Sequence, residues 1–269
     1  MALRITITPM ARLIRDGVGL GYEERGAGEP ALVLMHGILC SRRYLAPQLA
    51  HFSRRHRTVS IDLRGHGESD APDQEYTIDV FVDDIAWMCE QLELARPILI
   101  GHSLGGIIAL AAAAYRPTLP AAIVALDSVL VPPPDRAGVM RELFISLRSG
   151  DHVSAAREYF SLLFGSGHDA ELRRWILEEI GHVPRHVALS AWENAFFNFD
   201  TAAAARACRL PFLYIDAGTP NVNLEQLGRL CPTLVIGRTV GAGHFHQLEV
   251  PDQINAMIDR FLGLLSWAG

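Results

Sequence analysis

The sequence has little charge imbalance: 30 acidic against 24 basic residues among 269 leave a formal net charge of -6. A mild acidic excess does not suggest a surface built for nucleic acid or an anionic membrane, both of which it would repel. One short basic cluster, SRRHR at Ser53 to Arg57, reads as the solvated end of a helix. Cysteine is sparse as well. Cys40, Cys89, Cys208 and Cys231 form no CxxC pair and no regular spacing, so neither a metal site nor a disulfide framework is supported. Reduced, buried thiols of a cytoplasmic protein are the expectation. Long hydrophobic runs are missing too. Arg4, Arg12 and Arg15 break up the first apolar stretch, leaving no signal-peptide core, and nothing approaches a membrane span. Fixed-period repeats and low-complexity tracts are likewise absent.

What is present is an ordinary globular composition, 49% hydrophobic and 20% charged, in a chain long enough for one large domain or a core carrying an insertion. Apolar periodicity switches repeatedly between short strand-like runs and helical stretches. ALVLMHG (31–37), TVSIDLRGHG (58–67), PILIGHS (97–103) and AAIVALD (121–127) read as buried strands running into loops. Between them, TIDVFVDDIAWMCEQLEL (77–94) reads as an amphipathic helix with Val80, Ile85, Met88 and Leu92 on one face and Asp83, Asp84 and Glu90 elsewhere. Strands apolar on both faces and alternating with helices predict an α/β fold, a mostly parallel sheet covered on both sides. The rhythm breaks after Asp127, where VPPPD makes a stiff extended exit, and resumes at LPFLYIDAG (210–218). The division is therefore a core of residues 1–131 and 207–269 interrupted by a helical insertion at 132–206.

PILIGHSLGG (97–106) carries the chemistry. Gly101-His102-Ser103-Leu104-Gly105 matches G-x-S-x-G between a strand and a helix. Lifting a nucleophile above a sheet edge requires a turn so sharp that side chains at the two flanking positions would collide, hence two glycines. The following helix aims its unpaired N–H groups and positive dipole end at the same place.

With HGI at His36 to Ile38, DLRGHGES at Asp62 to Ser69 and GAGHF at Gly241 to Phe245 in the same order, the chain resembles the α/β-hydrolase family over nearly its whole length. The resemblance implies that HGI is the oxyanion loop, that the GAGH loop supplies the base, and that 132–206 is the family's cap. Ser103 is then the nucleophile and His244 its general base. Backbone N–H groups of Leu104 and Ile38 form the oxyanion hole. His102 packs or hydrogen-bonds in the elbow. His246 suggests no metal site, since a third ligand is missing. Asp62, Arg64 and His66 brace their loop. Arg42 and Arg43, just past the oxyanion loop, are expected in solvent unless they meet an anionic substrate.

The acid is where the sequence departs from the family. Its commonest position, a few residues beyond PFLYI, falls here on Thr219, Pro220 or Asn221. Two strand-end carboxylates remain, Asp127 and Asp216, and Asp127 is the preferred candidate because some members take their acid from that strand. The aromatic insertion predicts a partly apolar pocket, with Trp192, Phe196 and Phe197 in WENAFFNF as its wall. The resulting expectation is a serine hydrolase cleaving a small to medium carboxylic ester or lactone. It calls for no metal and no cofactor, its partner is a small-molecule substrate, and its oligomeric state is not legible. Three alternatives stay open on the same residues. They are carbon–carbon bond hydrolysis, cofactor-free oxygen chemistry of a dioxygenase or perhydrolase kind on a His-Asp dyad, and a receptor that binds without turnover.

Overall fold

The computed structural model describes residues 11–165, 169–219 and 221–265. Arg4 and Pro220, both invoked above, lie outside the described residues. In chain order the described core begins with β1 (Ala11–Arg15), β2 (Val18–Arg25), β3 (Leu32–Met35), α1 (Ala46–Phe52), β4 (Thr58–Ile61), α2 (Ile78–Gln91), β5 (Ile98–His102), α3 (Leu104–Tyr115) and β6 (Ala122–Leu126). A helical stretch follows: α4 (Pro134–Ser149), α5 (His152–Ser161), α6 (Ala170–Glu179), α7 (Arg185–Glu193), a π-helical turn at Asn194–Asn198, and α8 (Thr201–Ala207). The core resumes with β7 (Phe212–Asp216), α9 (Leu224–Leu230), β8 (Leu234–Arg238), α10 (His246–Glu249) and α11 (Pro251–Leu262).

The described strands form one sheet in the order β1-β2-β4-β3-β5-β6-β7-β8. Neighbours from β4 onward pair in parallel, while β2 runs antiparallel to both β1 and β4. Alternation along the strands sorts the core into two layers. Leu32, Leu34, Ile98, Ile100 and Val124 pack with Leu49 of α1 and Ile254 and Ile258 of α11. Val33, Met35, Leu99 and Ala125 face the other way, toward Ile85 of α2 and Ile107 of α3. Helix α3 is buried along most of its length because it lies against the sheet, α2 and α8 together, which is why its sequence is so rich in alanine.

Local chemistry sets the helix starts. Thr77, Asp151, Asp169, Asp200 and Asn223 each accept a hydrogen bond from a backbone N–H in the first turn of the helix that follows. Helix α2 departs from its expected face. Phe81, Val82 and Cys89 join Ile85 and Met88 in the core, and Asp84 is buried rather than solvated. Its carboxylate takes Arg64 at 2.6 and 2.7 Å and Arg15 at 2.8 Å, and two guanidiniums offset the desolvation of the charge. Periodicity cannot reveal a partner twenty residues away. Among the described residues no helix is long and apolar enough to cross a membrane.

Candidate active site

Strand β5 ends at His102 and α3 begins at Leu104, so Ser103 alone makes the turn. It does so at φ 51° and ψ -113°, a left-handed conformation that is costly for a residue with a side chain. The strain is held by the surroundings: Ser103 N–H donates to Leu126 O at 3.0 Å. The flanking glycines are required by close approach. A Cβ on Gly101 would stand 2.0 Å from the Gly105 carbonyl carbon, and one on Gly105 would stand 2.3 Å from Met35 O. Leu104 is the first residue of α3, where a backbone N–H has no acceptor within the helix. The loop after β3 runs alongside, since a Cβ on Gly37 would lie 3.1 Å from Ser103 Cβ. Ile38, the next residue, is buried there.

His244 arrives from the other side, in the loop between β8 and α10. Its Nδ1 lies 2.7 Å from Asp127 Oδ2. A carboxylate only accepts, so Nδ1–H is the donor in this contact and Nε2 is the ring nitrogen it leaves over. The backbone of His244 is held at both ends: its N–H donates to Leu163 O at 2.7 Å, and its carbonyl accepts from His102 Nε2 at 2.8 Å. His102 is thus a brace for the histidine loop. Burial, with His244 and His246 nearby, depresses its pKa well below the ordinary range and keeps it neutral.

Asp127 directly follows β6 and is fully buried. Burial pushes its carboxyl up, but the hydrogen bond and charge interaction with His244, the nearby His246 and the Thr219 hydroxyl outweigh that and leave it at about 2. Thr219 Oγ1 donates to it at 2.8 Å and Asn221 Nδ2 at 2.9 Å. Two of the positions that lack the family's usual aspartate therefore hold donors to the carboxylate that stands elsewhere. The sequence offered this pairing as a signal, a hydroxyl and an amide where an acid was expected. Asp216, the other candidate, is engaged differently: its Oδ2 pairs with Arg238 at 2.5 Å and its Oδ1 accepts from Gly218 N–H at 3.0 Å.

Ser103 and His244 line a common cavity with Ile38, Asn221, Trp192 and Phe196. It is narrow, about 10 Å³, close to the room one water needs. Trp192 and Phe196 sit four residues apart where α7 passes into the π-helical turn, with ring centroids 4.6 Å apart. Phe197, expected beside them, does not line this cavity; its ring packs edge-on against Phe144 at 5.5 Å. Consecutive helical residues diverge by about 100°, so three neighbouring aromatics cannot share one wall.

The remaining candidates fall outside the cavity. Arg42, expected in solvent, is buried, and its guanidinium and backbone N–H both bind Asp62. Arg43 pairs with Glu179 at 2.9 Å and lies over the Trp175 ring. Asp62 also accepts from Glu68 N–H at 3.1 Å, Arg64 holds Asp84, and His66 Nδ1–H donates to Arg64 O. These three side chains do brace their loop. His246 turns to Thr239 Oγ1 at 3.2 Å. The sequence reading missed Arg136 and Met140, which reach the cavity from α4. Neither is aromatic, so the aromatic density of that stretch does not point to them.

The sequence profile of the alpha/beta hydrolase fold matches residues 30–251, which spans every element just described except β1, β2 and most of α11. The chain belongs to the alpha/beta hydrolase family. Within the family, it is 37% identical over 110 residues to 2-(acetamidomethylene)succinate hydrolase of Mesorhizobium japonicum, a match covering 41% of this chain and 39% of that one. It is 34% identical over 125 residues to bifunctional epoxide hydrolase 2 of Sus scrofa, covering 45% and 22%. The chain thus spans well under two-thirds of the length of these curated relatives. Among solved structures, the enol-lactonase from Burkholderia xenovorans LB400 superposes with a TM-score of 0.85 at 21% identity, over 94% of this chain and all of that one. That likeness is one of fold.

Proposed function

We propose that this alpha/beta hydrolase is a serine hydrolase acting on a small to medium, partly apolar carboxylic ester or lactone. The observation that carries the reading is the 2.7 Å contact between His244 Nδ1 and Asp127, with the strained Ser103 and His244 on one cavity. Ser103 Oγ bonds to the substrate carbonyl carbon while its proton passes to His244 Nε2. Negative charge collects on the carbonyl oxygen, toward the N–H groups of Leu104 and Ile38. When the tetrahedral species collapses, the carbon–oxygen bond to the leaving group breaks and His244 returns the proton to the alkoxide. Water then repeats the sequence on the acyl-enzyme, giving the acid and free Ser103. Asp127 keeps Nδ1–H in place and stabilises the imidazolium. Residues 132–206 act as the cap, and Trp192 and Phe196 must shift for a substrate to enter so narrow a space.

The relatives, a 2-(acetamidomethylene)succinate hydrolase and an epoxide hydrolase, and the enol-lactonase of like fold do not choose among ester, lactone and carbon–carbon bonds. The test is a panel of 4-nitrophenyl esters and lactones with wild type and Ser103→Ala. A burst of nitrophenol stoichiometric with enzyme, absent in Ser103→Ala, is expected. Turnover that survives Ser103→Ala and consumes oxygen would transfer the site to the His-Asp dyad reading, which the placement of the acid after β6 also suits.

A further inference from the structure

Three buried arginines lie on or near the loops around Ser103, and only two of them are neutralised. Arg42 is matched by Asp62 and Arg64 by Asp84. Arg136, in the first turn of α4, is just as enclosed at 7% exposure, yet no carboxylate lies within ion-pair distance of it among the described residues. Its one side-chain partner is the hydroxyl of Tyr159, 2.6 Å from Nη2. Its Nε is buried with no acceptor at all. Asp127 is not available to it, since both carboxylate oxygens are taken by His244, Thr219 and Asn221.

Both Arg136 and Tyr159 line the cavity that holds Ser103 and His244, and the neighbouring wall of Met140, Trp192 and Phe196 supplies no counter-charge. Tyr159 accepts from Arg136, so its own O–H is left to donate. Burial pushes its phenol up, and it stays protonated across the neutral range. Two donors, one of them cationic, are therefore unspent on one side of a cavity whose other side carries the reacting serine. A desolvated guanidinium without a counter-charge is costly to keep, and a planar fork of N–H groups is matched by a carboxylate.

We propose that the substrate carries an anionic group, a carboxylate, which Arg136 and Tyr159 hold while Ser103 attacks its ester or lactone carbonyl. This rests on the serine-hydrolase reading and narrows it to acidic esters. Arg42 and Arg43, expected in solvent unless they meet an anionic substrate, are internally paired, and the anion site falls to an arginine of α4 instead.

Two measurements on the full chain separate this from the reading beneath it. The first compares mono-4-nitrophenyl glutarate with neutral 4-nitrophenyl valerate. Wild type is expected to prefer the acidic ester in kcat/KM by about 10- to 100-fold, and Arg136→Gln to reduce that preference by a similar factor, mainly through KM. Arg136→Lys, which keeps the charge but not the fork, should fall between. Equal kcat/KM for the two esters in wild type, or a preference untouched by Arg136→Gln, would overturn the proposal. The second needs no turnover: glutarate, but not glutaramide, should raise the Tm of wild type and not that of Arg136→Gln. No shift with glutarate also counts against the anion site. Should Arg136→Gln fail to fold, the two wild-type comparisons still decide. A glutarate-dependent shift without turnover of either ester would leave the anion site standing and overturn the hydrolase reading instead.

Discussion

Asp127 Oδ2 is shared between His244 Nδ1 at 2.7 Å and Asn221 Nδ2 at 2.9 Å, and the two nitrogens are themselves 3.4 Å apart. The amide thus stands within reach of the same imidazole edge that the carboxylate occupies. A carboxylate placed at residue 221 could replace the one at 127. Asp127→Asn is expected to lower kcat by about 10³- to 10⁴-fold, as loss of the orienting acid does elsewhere. Adding Asn221→Asp to that variant should restore at least about tenfold of the loss, a non-additive effect expected of groups sharing one partner. If the double variant is no better than Asp127→Asn, the two positions are not interchangeable at the imidazole.

Glu249 ties the histidine loop to the segment that follows α5. One carboxylate oxygen accepts from Gly243 N–H and the other from Gly165 N–H, each at 3.0 Å. Hydrogen bonds to a charged group contribute about 1.5–3 kcal/mol each. Glu249→Ala is expected to lower Tm by several degrees and kcat by roughly tenfold, with Glu249→Gln intermediate because its one carbonyl oxygen still accepts. Circular dichroism melts and ester kinetics on the same preparations check both.

Acid should begin to destabilise the fold just below pH 6.5. Burial holds His36 and His246 at about 4 and His66 at about 3, against an ordinary 6.5. The unfolded chain takes up protons on these rings near pH 6.5 and the folded chain does not, so stability falls as pH drops from about 6.5 toward 4. Each ring contributes a slope of up to about 1.4 kcal/mol per pH unit. The lowered Asp127 acts in a lower window, its contribution being present above 3.8 and lost as pH falls toward 2. Urea midpoints at pH 7 and pH 5 test the histidine effect; equal midpoints would contradict it.

Asp84 is the clearest structural role hidden in a helical surface pattern. Asp84→Asn leaves Arg64 buried without its counter-charge and is expected to cost about 3–5 kcal/mol in chemical unfolding, with little change in the kinetics of protein that remains folded.

What the sequence disclosed and what it concealed divide along one physical line. Strand runs, the break after Asp127 and the Gly-Ser-Gly turn depend on neighbours in the chain, and alternation or steric demand makes them legible. The family resemblance, read from ordered motifs, agrees with the profile match. Contacts between distant segments leave no such trace. Nothing in the spacing tells that Arg42 turns inward to Asp62, or that Arg64 reaches Asp84. Arg136 is concealed for the same reason: its lack of a carboxylate becomes meaningful only when all its neighbours are known.

The most direct test is fluorophosphonate labelling read by intact mass and peptide mapping, on wild type, His244→Ala, Asp127→Asn and Asp216→Asn. A single adduct on Ser103 is expected, formed drastically more slowly in His244→Ala and far more slowly in Asp127→Asn than in Asp216→Asn, whose carboxylate is bound to Arg238 instead. Labelling elsewhere than Ser103, or an Asp216→Asn variant slower than Asp127→Asn, would contradict the proposed triad.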